Sequence, residues 1–139
     1  MNITSVGQKF SLKFQFSQDD VNQFIQITGD DNPIHHDAEY AKNTMFKRPI
    51  VHGFLGGAMF SRIFGSLFPG EGTIYLSQNL KFRAPMYVEQ EYVAQVEITT
   101  LDADRHSCTV ATQILDDKGK AVTVGEAIIM NKNKIGTSD

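Results

Sequence analysis

Hydrophobic and polar positions change period several times along this chain, and each change marks an element. Phe10, Leu12, Phe14 and Phe16 alternate with Ser11, Lys13 and Gln15, the period-two pattern of a strand with one buried face. Ser17-Gln18-Asp19-Asp20 then reads as a helix start, with Ser17 as the N-cap and Asp20 at the reciprocal capping-box position. Val21, Phe24, Ile25 and Thr28 keep helical spacing, and Gly29 is placed to end the helix in a left-handed conformation. A short second helix is predicted after Asp37, through Ala38, Tyr40 and Ala41, with Asp37 as its N-cap. Over residues 53–68 apolar side chains fall on nearly every face and Arg62 is the only charge, which predicts a buried helix stopped by Pro69-Gly70.

Four strand-like runs follow, near residues 73–83, 90–100, 107–116 and 121–130, with Asp117-Lys118-Gly119 as the turn between the last two. Residues 131–139 are polar and are expected to fray. One strand, then helices, then an antiparallel run is the order of an α+β fold in which a sheet wraps a long helix.

The chain has 139 residues, enough for one domain with its own core and no disulfide or metal staple, so a single domain over 1–139 is expected. A formal charge of −3 leaves no basic stripe to neutralise phosphates, which argues against nucleic acid as a partner. Cys108 is the only cysteine, so a disulfide within the chain and a thiol-rich metal site are excluded, and it reads as a small buried apolar residue. The first residues, Met1-Asn2-Ile3-Thr4-Ser5-Val6-Gly7, have neither a basic nor an apolar leader region, and no run reaches the roughly 20 apolar residues of a membrane span. A cytoplasmic protein is therefore expected, with no membrane partner.

Candidate chemistry concentrates in Gly29-Asp30-Asp31-Asn32-Pro33-Ile34-His35. Pro33 cannot donate to a helix and pushes Asn32 out of the α region, so a kinked connector presents Asp30 and His35. A carboxylate and an imidazole converging on one water are sufficient for general acid–base chemistry. The same residues also serve as plain turn formers, a reading the isolated segment leaves open. The other histidines, His36, His52 and His106, lack the paired spacing of a zinc site, and no metal is expected. His106, beside Asp104 and Arg105, reads as a surface residue.

The pattern Gly29-Asp30-x-Asn32-Pro33-Ile34-His35 with Ala38 to Ala41 resembles the signature of the MaoC-like dehydratases, and within them the single-domain (R)-specific enoyl-CoA hydratases. The resemblance continues through Pro49-Ile50-Val51-His52-Gly53, Pro69-Gly70, Gly72-Thr73-Ile74-Tyr75-Leu76, Leu80-Lys81-Phe82 and Pro85. It implies the hotdog fold, at least a homodimer, and an acyl-CoA thioester substrate of short to medium chain hydrated to the (3R)-hydroxyacyl product. It implies no cofactor beyond the coenzyme A carried by the substrate. Asp30 and His35 would be the acid–base pair, and the Gly53 N–H at the helix start would hydrogen-bond the thioester carbonyl. Asn32, His52 and Ser61 take supporting places; Asn32 would orient the pair or cap the turn, and Ser61 would support the site or bond its own helix backbone. Lys47, Arg48, Lys81 and Arg83 are candidates for coenzyme A phosphates or plain solvated charges. A hotdog thioesterase and a non-catalytic acyl-CoA-binding subunit are the competing readings. Thioesterases of this fold lack the Asp30…His35 pattern with Asn32-Pro33.

Overall fold

Alternation along β3 (Glu91–Asp102) turns Tyr92, Ala94, Val96 and Ile98 to one face, and all four are buried. β4 (Ser107–Leu115) buries Cys108, Val110, Thr112 and Ile114 in the same way, and β5 (Ala121–Met130) adds Val122, Ala127 and Ile129. The computed structural model, which describes residues 1–138, joins these to β1 (Lys9–Gln15) and β2 (Ile74–Phe82). All neighbours pair antiparallel in one sheet of order β1-β3-β4-β5-β2, so β1 and β2 are its edges. The predicted turn joins β4 to β5: Asp116 Oδ1 accepts from the Lys118 and Lys120 N–H groups, and Gly119 sits at φ 79°.

The connection from β1 to β2 carries α1 (Gln18–Thr28), a 3₁₀ turn (Pro33–His35), α2 (Ala38–Lys42) and α3 (Gly53–Arg62). The capping box of Ser17 and Asp20 is present, Gly29 ends α1 at φ 77°, and Asp37 caps α2 through the Tyr40 N–H. α3 runs on into a π-helical turn (Ile63–Leu67), closed by the Phe68 N–H on the Ile63 carbonyl. The sheet curls around this helix in the hotdog arrangement, with Phe60, Ile63, Phe64 and Phe68 buried in the core.

Three expectations need correction. The long helix is not buried all round: Phe54 is 72% exposed, and Ser61, Arg62, Gly65 and Ser66 are also exposed. The sheet covers only one side of the helix, and Phe54, Ala58, Ser61 and Gly65 share the other at helical spacing. The polar run from Asn131 does not fray at its start. Asn131 is buried, donates to the Glu71 carbonyl and Thr73 Oγ1, and accepts from the Asn133 and Lys134 N–H groups. Ile135 is fully buried and bridges Ile3. His106 is accordingly no free surface residue, because its Nδ1–H donates to the Ile135 carbonyl at 2.8 Å. No helix among the described residues is long and apolar enough to cross a membrane.

Candidate active site

Gly29 releases the chain from α1 directly into the candidate loop. The Asp30 N–H donates to Thr28 Oγ1 (3.1 Å), and Asp30 Oδ1 accepts from the Asn32 N–H (3.4 Å). Asn32 Oδ1 in turn accepts from the Ile34 N–H (3.3 Å) and starts the 3₁₀ turn, whose first residue, Pro33, arrives with φ already set. Asn32 thus caps the turn that carries His35. Asp30 is more than half exposed, while His35 is partly buried.

Backbone carbonyls set the two tautomers. His35 Nδ1 lies 2.7 Å from the Ile50 carbonyl, which can only accept, so Nδ1 carries the proton and Nε2 keeps its lone pair. His52 Nε2 donates to the Asp30 carbonyl at 3.1 Å and lies 3.9 Å from Asp30 Oδ2. The His35 and His52 rings stack with centroids 3.6 Å apart. Side-chain donor atoms of Asp30, His35 and His52 all fall within 4.8 Å of one another. The spacing of the sequence does not show this grouping, because its members come from three segments; the same three side chains are the ones that could hold a metal ion. Burial holds the His35 imidazole below its ordinary pKa of 6.5, opposed by its bond to Ile50 and helped by His52. The arrangement keeps a neutral imidazole with a bare nitrogen beside a carboxylate.

His35 and Gly53 line one cavity of about 460 Å³, with Met45, Phe46, Phe82, Arg83 and Met86 in its wall. The Gly53 and Phe54 N–H groups open α3 and have no partner among the described residues. Packing also favours glycine at 53: a Cβ there would lie 2.5 Å from the Phe82 ring, so the ring would have to shift. Ser61 lies exposed on α3, about 12 Å further along the axis by helix rise, and lines none of this cavity. His36 is exposed and bonded to the Asp31 carbonyl. Of the four cations singled out, Arg83 reaches the cavity and Arg48 lies over the Tyr87 ring at 4.0 Å. Two contributors lie within motifs that carry the resemblance, but the sequence assigns them no part in the site. The Ile50 carbonyl acts through the backbone and leaves no residue-type signal, and Phe82 reads as an ordinary strand residue.

An antiparallel sheet around one helix, with His35 and the helix-start residue Gly53 lining one cavity and Asp30 grouped with His35 beside it, defines a hotdog protein. A profile of the MaoC-like domain matches residues 2–119, and the chain belongs to that family. It is 41% identical over 124 residues to an (R)-specific enoyl-CoA hydratase of Aeromonas caviae, covering 89% of this chain and 92% of the relative. An (R)-specific enoyl-CoA hydratase of Rhodospirillum rubrum is 38% identical, with 89% of this chain and 85% of the relative covered. Among solved structures, the A. caviae (R)-hydratase involved in PHA biosynthesis superposes with a TM-score of 0.88 at 40% identity, over 91% of this chain and 96% of that one. The unliganded R-hydratase PhaJ1 of Pseudomonas aeruginosa gives 0.88 at 34% identity, over 99% and 93%.

Proposed function

We propose that the chain catalyses the (R)-specific hydration of trans-2-enoyl-CoA to (3R)-3-hydroxyacyl-CoA, a hydro-lyase reaction that runs in both directions. The observation that carries the reading is His35: the Ile50 carbonyl takes its Nδ1–H and leaves Nε2 bare, its ring is grouped with Asp30, and it lines the same cavity as Gly53. A water held by His35 and Asp30 gives a proton to the pair as its oxygen bonds the β-carbon. The π electrons of the double bond move onto the thioester oxygen, where the Gly53 N–H at the helix start stabilises the enolate-like charge. The proton then passes from the pair to the α-carbon, so the elements of water are added and nothing is oxidised or reduced. No electron or group carrier is needed beyond the coenzyme A of the substrate.

Apolar walls from Met45, Phe46, Phe82 and Met86 in a cavity of about 460 Å³ support short to medium acyl chains. Arg83 in that wall supports binding of an anionic substrate. The exposed face of α3 and the exposed Ile74, Leu76 and Phe82 of edge strand β2 support a homodimer. Incubation with crotonyl-CoA tests the reading: loss of enoyl absorbance without thiol release supports hydration. Thiol release would mean a thioesterase, and binding without turnover would mean a silent acyl-CoA-binding subunit.

A further inference from the structure

The His52 side chain touches both Asp30 and His35, and its own chemistry is unusual. It is 3% exposed, and its Nδ1 has no hydrogen-bond partner among the described residues. An unpartnered buried nitrogen costs stability that an apolar ring of the same shape would not. Packing alone therefore gives no reason for an imidazole here. Nor does capping: His52 stands at the N-cap of α3, but only its backbone carbonyl serves the helix, accepting from the Leu55 and Gly56 N–H groups. The side chain turns away and makes one polar bond, from Nε2–H to the Asp30 carbonyl.

Its faces are occupied as well. His35 stacks on the ring at 3.6 Å with 22° between planes, and Phe24 of α1 meets it at 4.8 Å. The next peptide N–H in the chain is that of Gly53. One side chain thus joins the loop bearing Asp30, the turn bearing His35 and the helix start bearing the Gly53 N–H.

We propose that His52 is a positioning residue: its Nε2–H clamps the Asp30 backbone while its ring sets the plane of His35, fixing the acid–base pair relative to the start of α3. The inference rests on the hydratase reading above and assigns His52 no proton transfer of its own.

The test compares three substitutions by kinetics and thermal unfolding of the full chain, with crotonyl-CoA as substrate. His52→Phe keeps the stacked ring, deletes the donor and removes the orphan nitrogen. Its melting temperature should hold or rise while kcat falls about 10²-fold, the scale of a small misplacement of reacting groups, with KM little changed. His52→Gln places an amide N–H where Nε2 stood and should recover much of kcat. His52→Asn places its amide nearer the Nδ1 position, short of the Asp30 carbonyl, and should stay impaired. Near-normal kcat in His52→Phe, equal impairment of Gln and Asn, or kcat falling only in step with stability would each overturn the proposal. If His52→Phe does not fold, the Gln and Asn pair decides alone. A wild-type protein that leaves crotonyl-CoA unhydrated would instead overturn the hydratase reading.

Discussion

His35 and Ile50 hold each other in register from both sides. The Ile50 carbonyl accepts from His35 Nδ1–H at 2.7 Å, and the Ile50 N–H donates to the carbonyl of Ile34, the residue before His35, at 3.1 Å. The His35 ring therefore cannot rotate or change tautomer without giving up its bond to the Ile50 carbonyl, on a segment itself bridged to Tyr87. A backbone carbonyl fixes which His35 nitrogen stays bare, and no side chain substitution at position 50 short of proline removes the Ile50 N–H.

Removing either member of the pair should abolish most turnover without unfolding the protein. Asp30 is more than half exposed and His35 only partly buried, so neither truncation opens a core cavity. Asp30→Ala and His35→Ala should each retain less than about a tenth of wild-type kcat, and the double variant should lose little more than the worse single one. Circular dichroism should stay unchanged. Additive losses would show that the two groups do not act as a unit.

The pH dependence follows from the direction of the His35 shift. Burial lowers its pKa below 6.5, with His52 and His36 pushing the same way and Asp30 and the Ile50 carbonyl opposing. The base form is then already present at neutral pH, and kcat/KM should fall on acidification with an apparent pKa below 6.5. Stability has the same sign. The unfolded chain takes up the proton more readily than the folded one, so His35 withdraws stability as pH falls from 6.5 through its lowered folded value. An acid limb at or above 6.5 that vanishes in His35→Ala would contradict this.

Much of this was legible from residue types because the signals were local. The Ser17-Asp20 box, Gly29, Asp37 and the Asp117-Lys118-Gly119 turn each act within a few residues, and each sits where its chemistry requires. The Asp30 to His35 segment was legible for the same reason. What the sequence hid were partners far along the chain: Ile50 for His35, Phe82 for Gly53, and Glu71 and Thr73 for Asn131. Polarity misled most at Asn131, where a polar residue is buried because its amide is satisfied on both sides. Apolarity misled at Phe54, which the helix pattern buries and a single chain leaves exposed.

Asn131→Ala measures that hidden anchor. Losing its buried amide leaves the Glu71 carbonyl and the Asn133 N–H without this partner, while the Lys134 N–H keeps only its longer bond to the Asn131 carbonyl. Chemical denaturation should show a loss of about 1–3 kcal/mol with the kinetics of the folded fraction unchanged. No loss would mean that water replaces the amide at no cost.

Gly53 separates binding from catalysis. Gly53→Pro removes the helix-start N–H and, if that group meets charge formed in the transition state, should lower kcat by about 10²–10³ while KM changes less. Gly53→Ala keeps the N–H but drives a Cβ to 2.5 Å from the Phe82 ring, so its defect should be partly relieved by Phe82→Leu. A folded Gly53→Pro protein with near-normal turnover would move the oxyanion contact elsewhere.

Association should also be visible directly. Sedimentation at micromolar concentration should show a dimer, and lysine at Leu76, exposed on edge strand β2, should weaken it. A stable monomer in the unsubstituted protein would leave the α3 face without the second copy proposed for it.

The configuration of the product tests the central claim most directly. Crotonyl-CoA incubated with the wild-type protein should give 3-hydroxybutyryl-CoA, which chiral chromatography after release of the acid resolves into its enantiomers. The (3R) form is expected almost alone if Asp30 and His35 hold water on one face of the bound double bond. The product should be lost in Asp30→Ala and His35→Ala. A (3S) or racemic product, or free thiol with the double bond intact, would contradict it.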